Sequence, residues 1–312
     1  MDGRTVVVFT GEFDVTADAV IVELERRGVP VFRCDPGAFP STLALGARFG
    51  GSWTGHLRTD RRTLDVADVA CAWWRRPTPI AVPPEVPHAE WVRAEAVAGL
   101  RGVLSVLPWL NHPDDIRTAE HKPLQLATAA RVGLTVPATV VTNDPREARA
   151  FATKYGPIIY KPLTSGILDN NRVIYACPVD PAALDDSLTV TAHLFQQQVP
   201  KAYELRVTVV DGEMFTARID ALTERGKQDW RADYRNLRYS VDKLPEDVAD
   251  KVRRYLRLRR LRFAALDFVV TPAGEHVFLE ANPNGQWAWI EHETGLPIAA
   301  AIADALEGVA ND

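Results

Sequence analysis

A chain of 312 residues, 46% hydrophobic and 25% charged, has the length for two or three packed subdomains and a sizeable core. Its formal net charge of -5, with acidic and basic residues interspersed, gives no case for nucleic acid or an anionic membrane as partner. Its three cysteines, Cys34, Cys71 and Cys177, are far apart and in no CxxC spacing, which argues against a disulfide framework or a zinc site and for a reducing cytoplasm.

The chain goes straight into a strand-like run, TVVVFT, without the charged start, longer apolar stretch and cleavage site of a signal peptide. No apolar run approaches the ~20 residues that span a bilayer. Thr16 is expected to cap a helix running to about residue 27, with Asp18 in its first turn and Gly28 ending it. VPVFRCD follows as a second strand. This opening is Rossmann-like, yet its first turn, TGEFDVT, lacks GxGxxG, so a dinucleotide site is poorly supported. Alternating runs around a Gly50-Gly51 turn come next, then VADVACAWW. A helix over about 88–107 closes a first unit, 1–112. A second unit, 113–195, opens with one helix over DDIRTAEHKPLQLATAARVG, followed by strand VPATVVT, helix DPREARAFATKYG and strand PIIYKPL. The third unit, 196–312, carries several strands, a helix over about 245–259, a hairpin and a C-terminal helix.

That hairpin, AALDFVVTPAGEHVFLEANPNGQ, holds three oxygen-bearing side chains among strand formers. Asp267 lies in the outgoing run; Glu280 and Asn282, two residues apart, lie in the returning one and face the same side of a strand. A turn at 271–274 brings the three together as a seat for a cation. Alone, such a trio is more often a polar strand edge. Lys161 ends an apolar run, where it would point into a cleft, and Lys122 lies in the preceding helix. Two lysines facing hard oxygen ligands suit a magnesium nucleotide. Neither GxxxxGK[ST] nor the kinase HRD…DFG pair occurs. The stretch FQQQVPKAYELRVTVVDGEMFTARID reads as a strand, a loop and a hairpin turning at Asp211-Gly212. Gln197 and Gln198 could meet an adenine edge and Glu204 the ribose hydroxyls. Arg206 and Arg218, on facing strands, would point at the phosphates, or else form a cross-strand surface pair. The basic run RRYLRLRR at 253–260 reads as the solvated face of a helix. There is no defensible Ser-His-Asp or Cys-His pairing.

The ordered set Lys122, Lys161, QQQV, ELRV, ARID, LDF and FLEANPNGQW resembles ATP-grasp ligases, most closely the maturases of graspetides, the microviridin-like ribosomal peptides. CAWWRRP at 71–77, VPATVVTNDP at 136–145 and the spacing from ARID to DWR support that narrower branch. The resemblance implies an α/β ATP-grasp fold with an N-terminal Rossmann-like pre-ATP-grasp subdomain, and ATP and Mg2+ as cofactors. It implies Asp267, Glu280 and Asn282 as metal ligands, and Lys122, Lys161, Gln197, Gln198, Val199 and Glu204 on the nucleotide. Arg206 and Arg218 would be catalytic. Trp230, Arg231, Asn284, Arg75 and Arg76 would meet the peptide. The implied partner is a ribosomal precursor peptide, leader and core, whose Asp or Glu carboxylates are joined to Ser/Thr hydroxyls or a Lys amine. The implied enzyme is a cytoplasmic homodimer. A ligase adding free amino acids and a kinase of the same fold remain open, whereas a non-catalytic ATP-gated module would need a broken trio. Two departures stand out: Gln197 where many ATP-grasp enzymes carry Glu, and a single glycine in LTSGILDNN after Lys161.

Overall fold

The computed structural model describes residues 4–164, 166, 172–223, 226, 230 and 233–308. Strand β1 (Thr5–Thr10) is buried at every position, as a strand covered on both faces must be. It lies between β2 (Val31–Cys34) and β6 (Val69–Arg76) in a parallel sheet ordered β2-β1-β6. Helix α1 (Val15–Arg26) links β1 to β2. Its cap is Asp14 rather than the expected Thr16: the Asp14 carboxylate accepts from the Thr16 and Ala17 N–H groups, and Thr16 falls inside the first turn. Gly28, at φ +77, ends the segment as the sequence predicts. A separate antiparallel sheet of β3 (Ala44–Phe49), β4 (Trp53–Arg58) and β5 (Thr63–Asp65), with the Gly50-Gly51 turn, precedes β6. Helix α2 (Ala89–Leu104) follows it.

The single helix expected from residue 114 is two, α3 (Pro113–Ala119) and α4 (Lys122–Arg131). Pro123 is the cause: proline is tolerated in a helix's first turn but breaks its interior, so the chain restarts at Lys122. Beyond it, β7 (Thr139–Thr142), α5 (Pro145–Tyr155), β8 (Ile158–Lys161), β9 (Cys177–Val179) and β10 (His193–Gln197) build an antiparallel sheet ordered β7-β10-β8-β9. The boundary expected at 195/196 cuts through β10, so this unit runs on to Gln197. The boundary at 112/113 also parts from the cores. Ala119, Ala129 and Val132, in or just after α3 and α4, pack with the third sheet rather than with β7–β10.

The third sheet, ordered β13-β12-β11-β14-β15, contains β11 (Tyr203–Val210), β12 (Glu213–Ala221), β13 (Leu237–Asp242), β14 (Phe263–Val270) and β15 (His276–Asn282), all antiparallel. Leu205, Val207, Phe268 and Phe278 on one face meet α4 and α6 (Glu246–Arg259). Ala217 and Phe263 on the other join α7 (Ala288–Thr294), α8 (Ile298–Gly308) and residues Val6, Val8 and Trp73 of the first sheet in one core. The first and third units therefore share their hydrophobic interior, which locks them together. On α6 the basic run behaves as expected. Tyr255 and Leu256 are buried, Arg253 pairs with Glu246 and Asp250, and Arg260, just past the helix, pairs with Asp115. No helix among the described residues is long and apolar enough to cross a membrane.

Tyr255 is 0% exposed and packs against Phe278 with the rings tilted and their centroids 5.4 Å apart, yet its hydroxyl has no hydrogen-bond partner among the described residues. A buried donor without a partner gives nothing to stability. Tyr255→Phe is expected to be neutral or stabilising by up to about 1 kcal/mol, whereas Tyr255→Ala should cost about 3–5 kcal/mol. Denaturant unfolding reads both, and a Tyr255→Phe loss above about 1 kcal/mol would mean that the hydroxyl is bonded after all.

Candidate active site

The carboxylates meet because β15 carries one extra residue. From the turn inwards the register pairs Val270 with His276, Val269 with Val277 and Phe268 with Phe278; then it shifts, pairing Asp267 with Glu280 and Ala265 with Asn282. Leu279 is the residue passed over. In an unbroken register Asp267 would oppose Leu279, and Glu280 would point to the other face of the sheet. The sequence predicts the meeting of Asp267, Glu280 and Asn282, and the bulge is the physical means.

Each carboxylate is held by a cation. Asp267 is 3% exposed, and its Oδ1 accepts from Arg206 Nη1 at 2.7 Å; Arg206 is its register partner on β11. Glu280 Oε2 accepts from Lys122 Nζ at 3.0 Å. Lys122 is the first residue of α4, so the break at Pro123 is what sets this lysine at the acidic end of the site. Asn282 Oδ1 accepts from the Asn284 N–H at 2.9 Å. Two carboxylates and an amide oxygen are hard donors, and Mg2+ takes such a partial set while keeping phosphate and water oxygens. Nearby, Asn284 Oδ1 is buried without a hydrogen-bond partner among the described residues, a further oxygen facing inward. The donor set fits Mg2+.

Loop 282–286 is gripped from the first sheet. In β6, Phe9 pairs with Trp74 but Thr10 with Arg76, so Arg75 is a second extra residue, and the bulge lets consecutive arginines reach one target. Arg75 Nη1 donates to the Asn284 carbonyl, and Arg75 Nη2 to Gln286 Oε1 at 2.7 Å. Arg76 Nη2 reaches the Asn284 carbonyl at 3.2 Å. Thr16 Oγ1 donates to Gln286 Oε1 at 2.5 Å, and Arg206 Nη2 to the Gln286 carbonyl at 2.8 Å. Arg75 is 0% exposed, which removes it from the peptide surface where the resemblance placed it. Its burial, reinforced by Arg76, pushes its pKa down to about 9, against the pull of Asp14, whose Oδ2 lies 3.4 Å from Arg75 Nε. It remains a cation at neutral pH. Arg76 is exposed at the rim.

Beside this cluster, a cavity of about 310 Å³ opens between the second and third sheets. Lys161, Gln197, Gln198, Val199 and Glu204 all line it, so five of the six residues expected on the nucleotide come together, while Lys122 stands at the carboxylates. The main-chain N–H groups of Gln197 and Gln198 donate to the carbonyls of Ala138 and Pro157, both at 2.9 Å, so any contact of these residues with a base comes from other atoms. Sequence reasoning missed Gln196, Lys201, Ile159, Val269 and Leu279 in the lining. The apolar three look like core residues. Lys201, whose Nζ lies 2.6 Å from Glu204 Oε1, is three residues before it, a spacing that could have exposed the pair.

Beyond Arg75, two expectations do not hold, and Arg231 cannot be placed. Arg218 is paired in register with Leu205, while Arg206 is paired with Ala217, so the two arginines project from opposite faces. The Arg218 guanidinium lies 3.8 Å from the Tyr203 ring centroid and pairs with Asp220 at 2.7 Å, away from Asp267. Trp230 is 4% exposed and packs on Trp289 at 5.0 Å, a core contact rather than a rim for a peptide. Asn284 contributes its carbonyl to the arginine grip. Its amide oxygen is buried without a hydrogen-bond partner among the described residues. Arg231 and most of LTSGILDNN lie outside the described residues.

A family model described as the MvdD pre-ATP grasp domain matches residues 5–118. Among solved structures, a RiPP-associated ATP-grasp ligase from Chryseobacterium gregarium, in complex with ADP and a leader and core peptide, is 28% identical with a TM-score of 0.88, covering 97% of this chain and 96% of that one. The macrocyclase MdnC from Microcystis aeruginosa, bound with precursor peptide MdnA, is 28% identical with a TM-score of 0.87, covering 98% and 99%. The macrocyclase MdnB of the same organism is 29% identical with a TM-score of 0.81, covering 97% and 99%. D-alanyl-alanine synthetase A from Vibrio cholerae, 13% identical with a TM-score of 0.62 and 99% of both chains covered, shares the fold. The comparison with curated proteins found no match. The chain thus has the ATP-grasp fold with an N-terminal pre-ATP-grasp domain, and it resembles the RiPP ATP-grasp ligases as its motifs imply.

Gly285 is where the grip leaves no room. A Cβ there would stand 2.4 Å from Ala265 Cβ and 2.8 Å from Arg206 Nη2. Gly285→Ala must push the loop off Arg206, and overpacking of this kind is expected to cost about 1–3 kcal/mol in denaturant unfolding. An unchanged midpoint would mean that the loop gives way freely and that the grip is weak.

Proposed function

We propose that this ATP-grasp ligase activates Asp or Glu side-chain carboxylates of a ribosomal precursor peptide as acyl phosphates and condenses them with Ser/Thr hydroxyls or a Lys amine into macrocyclic esters or amides. The observation that carries the reading is the placement of Glu204 and Arg206, two residues apart on one face of β11. Glu204 lines the cavity, and Arg206 binds Asp267. A nucleotide with its ribose at Glu204 would extend its phosphates along the strand, about 7 Å on, to the carboxylates. Lys161 in the cavity and Lys122 at Glu280 supply fixed positive charge along that path.

Asp267, Glu280 and Asn282 would hold Mg2+, which when bound offsets charge on the phosphate oxygens. Arg206 holds the Asp267 carboxylate in place and braces Gln286 behind it. Arg76, exposed at the end of β6 beside the loop these residues steady, offers its guanidinium to the substrate carboxylate. That carboxylate oxygen bonds to the γ-phosphorus as the bond from phosphorus to the β–γ bridging oxygen breaks, releasing ADP. The hydroxyl or amine then bonds to the acyl carbon, and phosphate leaves with the carboxylate oxygen and the nucleophile's proton. Each ring removes the elements of one water. The same reading takes the enzyme to be a cytoplasmic homodimer, the latter readable by light scattering.

The test is mass spectrometry of the protein incubated with ATP, Mg2+ and a candidate precursor rich in Ser/Thr and Asp/Glu. The wild type should remove one water per ring, and folded Glu280→Ala should slow this and the accompanying ADP release by about 100-fold or more. Near-normal turnover in folded Glu280→Ala would remove the acidic cluster from the chemistry. A phosphate left stably on the peptide would make the enzyme a kinase, and a mass gain of amino-acid residues would make it an amino-acid ligase.

A further inference from the structure

The outer edge of β15 is closed by a side chain. β15 is the last strand of its sheet, so the main-chain groups it turns away from β14 have no strand to meet. Ala281, between Glu280 and Asn282, is one such residue, and at 2% exposed it cannot turn to water instead. Gln125 of α4, itself 4% exposed, takes the place of the missing strand. Its Oε1 accepts from the Ala281 N–H at 3.1 Å, and its Nε2 donates to the Ala281 carbonyl at 2.8 Å. Nε2 also donates to the carbonyl of Ala119, the last residue of α3, at 2.7 Å. Both amide protons are thereby used, and three backbone partners fix which end of the amide is oxygen. Lys122 and Gln125, three residues apart, share one face of α4. That face meets consecutive residues of β15: Lys122 Nζ holds Glu280 at 3.0 Å, and Gln125 holds Ala281.

We propose that Gln125 is a positioning residue of the metal site. Its amide pins Ala281 by both main-chain groups, which holds Glu280 and Asn282 in the arrangement that takes Mg2+. Its second proton ties that strand to the α3–α4 junction that presents Lys122. This rests on the Mg2+ reading of the trio and adds what keeps the trio in shape. Gln125 acts through the backbone between two ligands rather than on a ligand side chain. Without it, two buried main-chain groups of Ala281 lose their partners, and the strand end relieves them only by shifting. Glu280 and Asn282, on either side of the moved peptide, then shift together. Groups that hold metal ligands in place typically account for about 10–100-fold in metal affinity. Lys161, Gln197, Gln198 and Glu204 in the nucleotide cavity lie outside β15, so the same change leaves metal-free nucleotide binding as it is.

The experiment is calorimetric titration of ADP, once with Mg2+ and once with EDTA, into the full-length wild type, Gln125→Met and Gln125→Asn. Unfolding midpoints and hydrogen exchange at the Ala281 N–H are measured alongside. Gln125→Met keeps the length of the side chain and removes its hydrogen bonds. Gln125→Asn keeps the amide but leaves it one methylene short of Ala281, and it carries the test if Gln125→Met does not fold. The wild type should bind ADP more tightly with Mg2+ than without. In the variants that advantage should fall about 10-fold or more toward the metal-free value, while the affinity in EDTA stays as in the wild type. The Ala281 amide should lose its protection. A structural role alone would lower the midpoint and weaken ADP equally in both conditions. A Mg2+ advantage equal to the wild type's in a folded variant therefore overturns the inference, and so does undiminished protection at Ala281. A wild type whose ADP binding gains nothing from Mg2+ overturns the magnesium reading with it.

Discussion

The site depends on one extra residue in one strand. Side chains alternate across a sheet, so a unit change of register turns a whole row to the other face. Leu279, passed over between Phe278 and Glu280, makes that change halfway along β15. Toward the turn, Phe278 stays in the core with Phe268 and Tyr255. Beyond it, Glu280 and Asn282 move to the face of Asp267, and across β14 the row continues to Arg206 on β11. The passed-over Leu279 takes its place in the cavity lining. A single backbone irregularity thus joins an apolar core, a cation-binding row and a nucleotide cavity in one hairpin.

The N-terminal unit has no dinucleotide fingerprint, and its role in the fold explains why none is needed. Its sheet ends at the loop that follows the acidic row, and Arg75, Arg76 and Thr16 grip that loop. A buried arginine is a liability unless its donors and charge are satisfied. Arg75 meets the charge requirement with Asp14 and the face of Trp73 at 5.9 Å, and its Nη groups donate to loop oxygens, while its Nε has no hydrogen-bond partner among the described residues. The shared hydrophobic core then makes the grip rigid, since the two sheets cannot part without exposing Trp73, Phe263 and Trp287 together.

What could be read from the sequence, and what could not, follows the same physics. Apolar runs such as TVVVFT and the DFVV…HVFLEAN hairpin announced their strands because period and composition survive in one dimension. Lys161, Glu204 and the acidic trio were found because hard ligands and lone charges stand out against such runs. A bulge changes no composition, so neither Leu279 nor Arg75 could be seen as an extra residue. The misplacement of Arg218 has the same root: the Asp211-Gly212 turn sets Ala217 opposite Arg206, and a shift of one residue decides the face. Trp230 was misjudged because an aromatic beside polar residues suits a rim as well as a core. Asp14 was passed over as a cap for Thr16, although the stronger acceptor two residues earlier was available to the reading.

The central claim is that a substrate carboxylate takes phosphate from ATP beside Asp267 and Glu280 before any ring closes. The most direct measurement uses a precursor peptide whose Asp and Glu side-chain carboxylates carry oxygen-18. Transfer of the phosphoryl group to such a carboxylate, followed by its displacement, must carry one labelled oxygen into inorganic phosphate for every bond formed. The account predicts that label in phosphate in step with loss of water from the peptide. Dehydrated peptide formed while all released phosphate stays unlabelled would contradict it.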